Sequence, residues 1–212
     1  MKKIIQYITE KLKVGQKRTY KYCPKDGQEL KQIITDLFDD ETGMCDLREV
    51  DVSNLTQFCS AFSEVKWKVK TIDVTGWDVS NVVYFYSLFS YCAFVEEIIG
   101  LDTWEINPSK VDSYYRKSMF EIMFKGCKKL KRLDLSSWNI NSDHIGMKEM
   151  FMGCSALEEI KGIENWKNDV EPDQKLFYLG CMFDKCPKLH ADISKWKYKP
   201  RNTKTSPYIK TK

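Results

Sequence analysis

The sequence predicts an α/β solenoid of about five irregular strand–turn–short-helix units behind an N-terminal helical cap. The first observation is a recurring phrase. MFKGC at 123–127 and MFMGC at 150–154 are joined by LFSYC at 88–92, MFDKC at 182–186 and a degenerate AFSEV at 61–65. The second is a tryptophan at a nearly fixed distance after each phrase. Phe62 to Trp77, Phe89 to Trp104, Phe124 to Trp138, Phe151 to Trp166 and Phe183 to Trp196 span 15, 15, 14, 15 and 13 residues. The third is that the return from Trp to the next Phe takes 12, 20, 13 and 17 residues. One half of the unit is therefore fixed in length, while the other accepts insertions at 105–118 and 167–178. Self-similarity at such a period marks a stacked-repeat architecture.

The elements follow in chain order. Residues 1–13 carry Ile4, Ile5, Ile8 and Leu12 on one helical face. Residues 26–40 predict a helix, with Asp26 and Glu29 as a capping box and an apolar stripe of Leu30, Ile33, Ile34, Leu37 and Phe38. Together these make a cap over 1–45, placed to cover the edge of the first strand. The repeats run over 46–198. Before each Trp lies a short apolar stretch such as LKRLDLSSW, with Leu130, Leu133 and Leu135 pointing inward as in a strand. After Trp77 comes DVSN, which turns the chain and supplies a helix cap. Apolar residues then recur at helical spacing, as at Val82, Phe85 and Phe89, and Gly126 and Gly153 provide left-handed stops. The buried repeat core is Phe89, Trp104, Phe124, Trp138, Phe151, Trp166 and Phe183. Cys92, Cys127, Cys154 and Cys186 form a column of small soft side chains beside them. Each large ring so buried contributes roughly 1.5–3 kcal/mol. Residues 199–212 lack a core pattern and read as a basic, mobile tail.

The motifs Trp77–Asp78–Val79–Ser80–Asn81–Val82, Leu130 to Trp138, and Met150–Phe151–Met152–Gly153–Cys154 resemble the 26-residue repeat of BspA-like bacterial surface proteins. That resemblance covers about residues 20–200 and implies a leucine-rich-repeat-like solenoid. It also implies an attachment role, which many such relatives have. The two insertions depart from the even repeat length of that family.

Composition narrows the function. Hydrophobic content of 42% and charged content of 30% fit a globular chain. No apolar run reaches the roughly 20 residues of a membrane span. The N-terminus lacks the apolar core of a signal peptide, so the expected location is cytoplasmic, with a secreted or surface location as the alternative. The eight cysteines include no CxxC pair, and neither His144 nor His190 sits at metal-ligand spacing from a cysteine pair, so reduced thiols and no metal or cofactor are expected. No nucleophile, phosphate-loop or zinc-protease motif is present, and the chain is read as a non-enzyme. Residues 1–25 and 193–212 carry +7 each, and the net charge of +4 leaves −10 for the residues between them.

The expected function is protein binding or inhibition. An adhesin is the alternative, and a nucleic-acid binder using the basic ends is the second alternative. Both insertions fall on the Trp-to-Phe side, which makes that side the candidate surface: Tyr114, Tyr115, Arg116 and Lys117, with Asp169 and Glu171 two units on. The sequence leaves the oligomeric state open.

Overall fold

The computed structural model describes residues 19–106, 108, 111–140, 145–167, 179–197, 199–200 and 206–211. Helix α1 (Gly27–Leu37) begins where Asp26 accepts the N–H groups of Gln28 and Glu29. The Glu29 carboxylate reaches back to the N–H of Lys25 at 2.8 Å, so both sides of the helix start are satisfied. Leu30 and Ile34 are its buried residues. The chain then reverses through β1 (Phe38–Asp39) into β2 (Met44–Asp46), an antiparallel pair closed by left-handed Gly43.

From there the strands run parallel. Cys45 in β2, Ile72 in β3 (Thr71–Asp73) and Ile98 in β4 (Glu97–Ile99) stand in register. Leu133 of β5 (Arg132–Asp134) faces Ile160 of β6 (Glu159–Lys161), and Ala191 of β7 (Ala191–Asp192) faces Ile209 of β8 (Ile209–Lys210). The strands are short because an aspartate ends most of them. The carboxylates of Asp46, Asp73, Asp134 and Asp192 accept the N–H two residues on, at 3.2, 2.9, 3.1 and 3.0 Å. That side-chain turn competes with any further ladder bond. Asp78 of DVSN does the same for Ser80 at 3.0 Å, so this motif closes a turn and caps no helix.

The expected α/β leucine-rich-repeat-like solenoid of strand–turn–short-helix units is overturned. Among the described residues there are two α-helices, α1 and the four-residue α2 (Ser113–Arg116), and neither contains a repeat phenylalanine. The strands form three separate sheets of four, two and two strands. Breaks fall between β4 and β5 and between β6 and β7, the intervals that hold the two long insertions. The backbone explains the missing helices. Ser60, Ser87, Ile122, Glu149 and Cys181, each two residues before a repeat phenylalanine, have φ between 51° and 59°. Tyr91, Gly126, Gly153 and Lys185, each two residues after one, are left-handed as well. A right-handed helix cannot pass through left-handed residues four positions apart.

These segments are instead successions of tight turns bonded to the next segment. The N–H groups of Phe85, Ser87, Phe89 and Tyr91 donate to the carbonyls of Met119, Glu121, Met123 and Lys125. Between them, Leu88, Ser90 and Cys92 donate three residues back within their own turn. Alternate N–H groups thus go to the neighbour and to the chain itself, and the buried backbone is paired.

The core consists of two ring columns. Trp77, Trp104, Trp138, Trp166 and Trp196 follow one another at centroid distances of 6.1, 6.1, 6.3 and 6.2 Å, with ring planes within 16° of parallel. Phe62, Phe89, Phe124, Phe151 and Phe183 follow at 5.0, 5.4, 5.5 and 5.8 Å. All ten rings are buried. At the far end, Ser206 donates to the Leu189 carbonyl at 2.7 Å and β8 pairs with β7. Residues 206–210, within the 199–212 tail, thus pair with the last layer.

Candidate functional site

Asp112 caps α2, accepting the N–H of Tyr114 at 2.8 Å. The cap holds Tyr114 outward, 76% exposed, with its ring edge-on to Tyr115 at 5.3 Å. Tyr115 meets Tyr84 edge-on at 6.2 Å, and Tyr84 stacks on Tyr86 at 5.6 Å. Four tyrosines from two layers thus make one outward-facing cluster. Burial, followed by the nearby Cys59, pushes the Tyr84 hydroxyl pKa up, so Tyr84 keeps its O–H donor. Arg116 is half-buried and Lys117 exposed. The base of the insertion is fixed by Gly146, whose N–H donates to the Arg116 carbonyl at 2.7 Å. A Cβ on Gly146 would lie 2.0 Å from the Lys117 carbonyl, so only glycine fits there.

Of the surface expected from sequence, the structure brings together Tyr114 and Tyr115 and seats Arg116 and Lys117 beside them. Asp169, Glu171 and His144 lie outside the described residues, as does the helix expected over 1–13. Sequence reasoning missed Tyr84 and Tyr86. The signal was present in Tyr84–Phe85–Tyr86, where a buried ring between two tyrosines shows the period-2 alternation of an extended backbone.

The cysteine column has a structural task. The thiols of Cys127, Cys154 and Cys186 donate to the carbonyls of Phe89, Phe124 and Phe151, one layer back, at 3.2, 3.0 and 2.9 Å. Burial pushes Cys92 and Cys186 up to about 12 and Cys127 well above the ordinary thiol range, so these three thiols stay protonated. All eight cysteines are free. Among the described residues no group of three His, Cys, Asp or Glu side chains could hold a metal ion, and no helix is long and apolar enough to cross a membrane.

A family model described as "Mycoplasma protein of unknown function, DUF285" matches residues 32–166 and, in a second stretch, 102–209. The chain belongs to this family. The two DUF285 stretches overlap over 102–166. The DUF285 match begins within α1 and ends at the first residue of β8, and so takes in β1 to β7 entirely. No curated protein and no solved structure matches the chain.

Proposed function

We propose that this DUF285 chain is a non-enzymatic binding module whose partner is a protein, docked on the tyrosine cluster of Tyr84, Tyr86, Tyr114 and Tyr115. The observation that carries the reading is the cluster itself. Four rings linked by successive contacts, one of them 76% exposed, stand on α2 and on a turn segment whose Phe85 is buried in the core. Tyrosines with few rotatable bonds on a rigid frame are favourable interface anchors. The resemblance of the repeat motifs to BspA-like surface-protein repeats supports an attachment version of this reading.

The test is photo-crosslinking from position 114, with a benzophenone amino acid replacing the tyrosine, in the native cell. The expected result is one protein adduct, reduced about tenfold or more when Tyr84 and Tyr115 are changed to alanine. Adducts to nucleic acid alone, or a protein adduct indifferent to Tyr84→Ala and Tyr115→Ala, would refute the reading.

A further inference from the structure

A second surface lies away from the tyrosine cluster, at the ridge where each turn segment passes back into a strand. Trp67, Tyr91 and Phe94 stand there 59%, 42% and 42% exposed. The backbone ladder makes them neighbours. The Glu96 N–H donates to the Lys70 carbonyl at 2.8 Å, and Trp67 and Phe94 precede that pair by three and two residues. The Tyr91 ring lies over the next layer, where a Cβ on Gly126 would meet it at 3.0 Å.

Each ring is accompanied by a lysine. Lys66 stands 5.5 Å from the Trp67 ring centre, Lys125 5.9 Å from Tyr91 and Lys129 5.0 Å from Phe94. The segments that build the ridge, 64–70, 91–97 and 125–132, hold eight basic side chains against three acidic ones. The charge of residues 26–192 as a whole is of the opposite sign, −10. Glu149 shares Lys125 at 2.5 Å and Glu96 shares Lys129 at 3.7 Å. Lys128 and Lys131 are exposed beside them.

We propose that this ridge binds a single-stranded nucleic acid, with bases stacking on Trp67, Phe94 and Tyr91 and phosphates drawn to the flanking lysines. Ring and cation alternate three times over adjacent layers, and that is the recurring need of a strand with one base and one phosphate per step. An acidic peptide would use the cations and leave the rings unexplained. A lipid surface would need a broader apolar face than three rings provide. The proposal is independent of the tyrosine cluster and of the basic ends.

The test is fluorescence anisotropy of labelled dT15 on the full chain, beside an abasic 15-mer with the same phosphates and vesicles rich in phosphatidylserine. The expected result is dT15 binding at least about tenfold tighter than the abasic strand. Trp67→Ala and Phe94→Ala should each weaken it by roughly 5- to 150-fold, the worth of one stacked base. Lys66→Gln and Lys129→Gln should each lower the slope of log affinity against log salt by about 0.7. Far-UV circular dichroism checks that these surface variants fold. Equal affinity for dT15 and the abasic strand, binding unchanged in Trp67→Ala and Phe94→Ala, or binding to vesicles without binding to dT15 would each overturn the proposal.

Discussion

Trp138→Phe should cost about 3 kcal/mol more stability than Trp104→Phe, although the two residues are neighbours in one column. Both indoles are buried, at 3% and 0% exposure. Both are sandwiched, Trp104 between Trp77 and Trp138 at 6.1 Å each, and Trp138 between Trp104 and Trp166 at 6.1 and 6.3 Å. The change removes the same atoms at each site, so the cavity and transfer terms nearly cancel in the comparison. The indole N–H groups differ. That of Trp138 donates to the Leu101 carbonyl at 3.0 Å, whereas that of Trp104 is buried with no partner. The unpaired indoles, Trp104 and Trp166, are those of the two layers where a left-handed glycine and a 3-10 turn lengthen the path to Trp.

Losing the Trp138 bond costs about 0.5–1.5 kcal/mol, and deleting an orphaned donor at Trp104 recovers about 1–3 kcal/mol. The midpoints give a difference of about 3 kcal/mol. The Leu101 carbonyl keeps the Trp104 backbone N–H at 3.2 Å in the Trp138 variant, so no new orphan offsets the comparison. Urea unfolding followed by far-UV circular dichroism reads the difference as a midpoint separation of roughly 1 M or more. Coincident midpoints, or a lower midpoint for Trp104→Phe, would refute the reasoning.

Three further outcomes follow from the same geometry. Burial raises Cys45, Cys92 and Cys186 to about 12, so above the ordinary thiol pKa the unfolded chain loses protons that the folded chain keeps. Their stabilisation is complete below about pH 9 and falls between about pH 9 and 12 by roughly 1.4 kcal/mol per pH unit per thiol. Urea midpoints measured across that range check the slope, and Cys92→Ala should reduce it by one thiol's share. With a thiol reagent at neutral pH, exposed Cys23 and Cys59 should label first and Cys92, Cys127, Cys154 and Cys186 only on unfolding, as peptide mass mapping would show. Gly162→Ala should cost well over 2 kcal/mol and Gly153→Ala about 1–2 kcal/mol. Both glycines are left-handed, but a Cβ on Gly162 would lie 2.5 Å from the Ser136 backbone, while one on Gly153 would find nothing closer than 3.7 Å.

The ring columns were legible because a stacked ring must return to the same depth in every layer. The 13- to 15-residue spacing from Phe to Trp is the chain length between the two columns. Helix and turn were not distinguishable by the same means. Phe85, Leu88, Phe89 and Cys92 are all buried, and that i, i+3, i+4, i+7 set is the stripe of an amphipathic helix. A run of tight turns that resets every four residues buries the same set. Only the left-handed positions separate the two, and most of them carry Ser, Ile, Glu, Tyr, Lys or Cys, which signal nothing about φ in a sequence. Gly126 and Gly153 mark two of these positions, but a glycine there is equally the stop of a helix. On the surface, Tyr114 to Lys117 stood out as aromatics within an insertion. Tyr84 joined them only through ladder pairing with the next layer, which no local pattern encodes.

That pairing also sets where the chain is most vulnerable. Phe124 has a ring on each side, Phe89 at 5.4 Å and Phe151 at 5.5 Å, whereas Phe62 meets Phe89 alone in its column at 5.0 Å. Both are essentially fully buried, so truncation to alanine removes a similar transfer term, about 3–5 kcal/mol. The second ring contact adds about 0.5–1.5 kcal/mol to the cost of Phe124→Ala. The central turn is also bonded on both sides. Its carbonyls accept the N–H groups of the layer before, and its own N–H groups donate to the layer after, so relaxation around a cavity there would strain two ladders. Phe124→Ala should therefore unfold at lower urea than Phe62→Ala. If the two midpoints coincide, each layer is stabilised within itself and the stacking of rings contributes little.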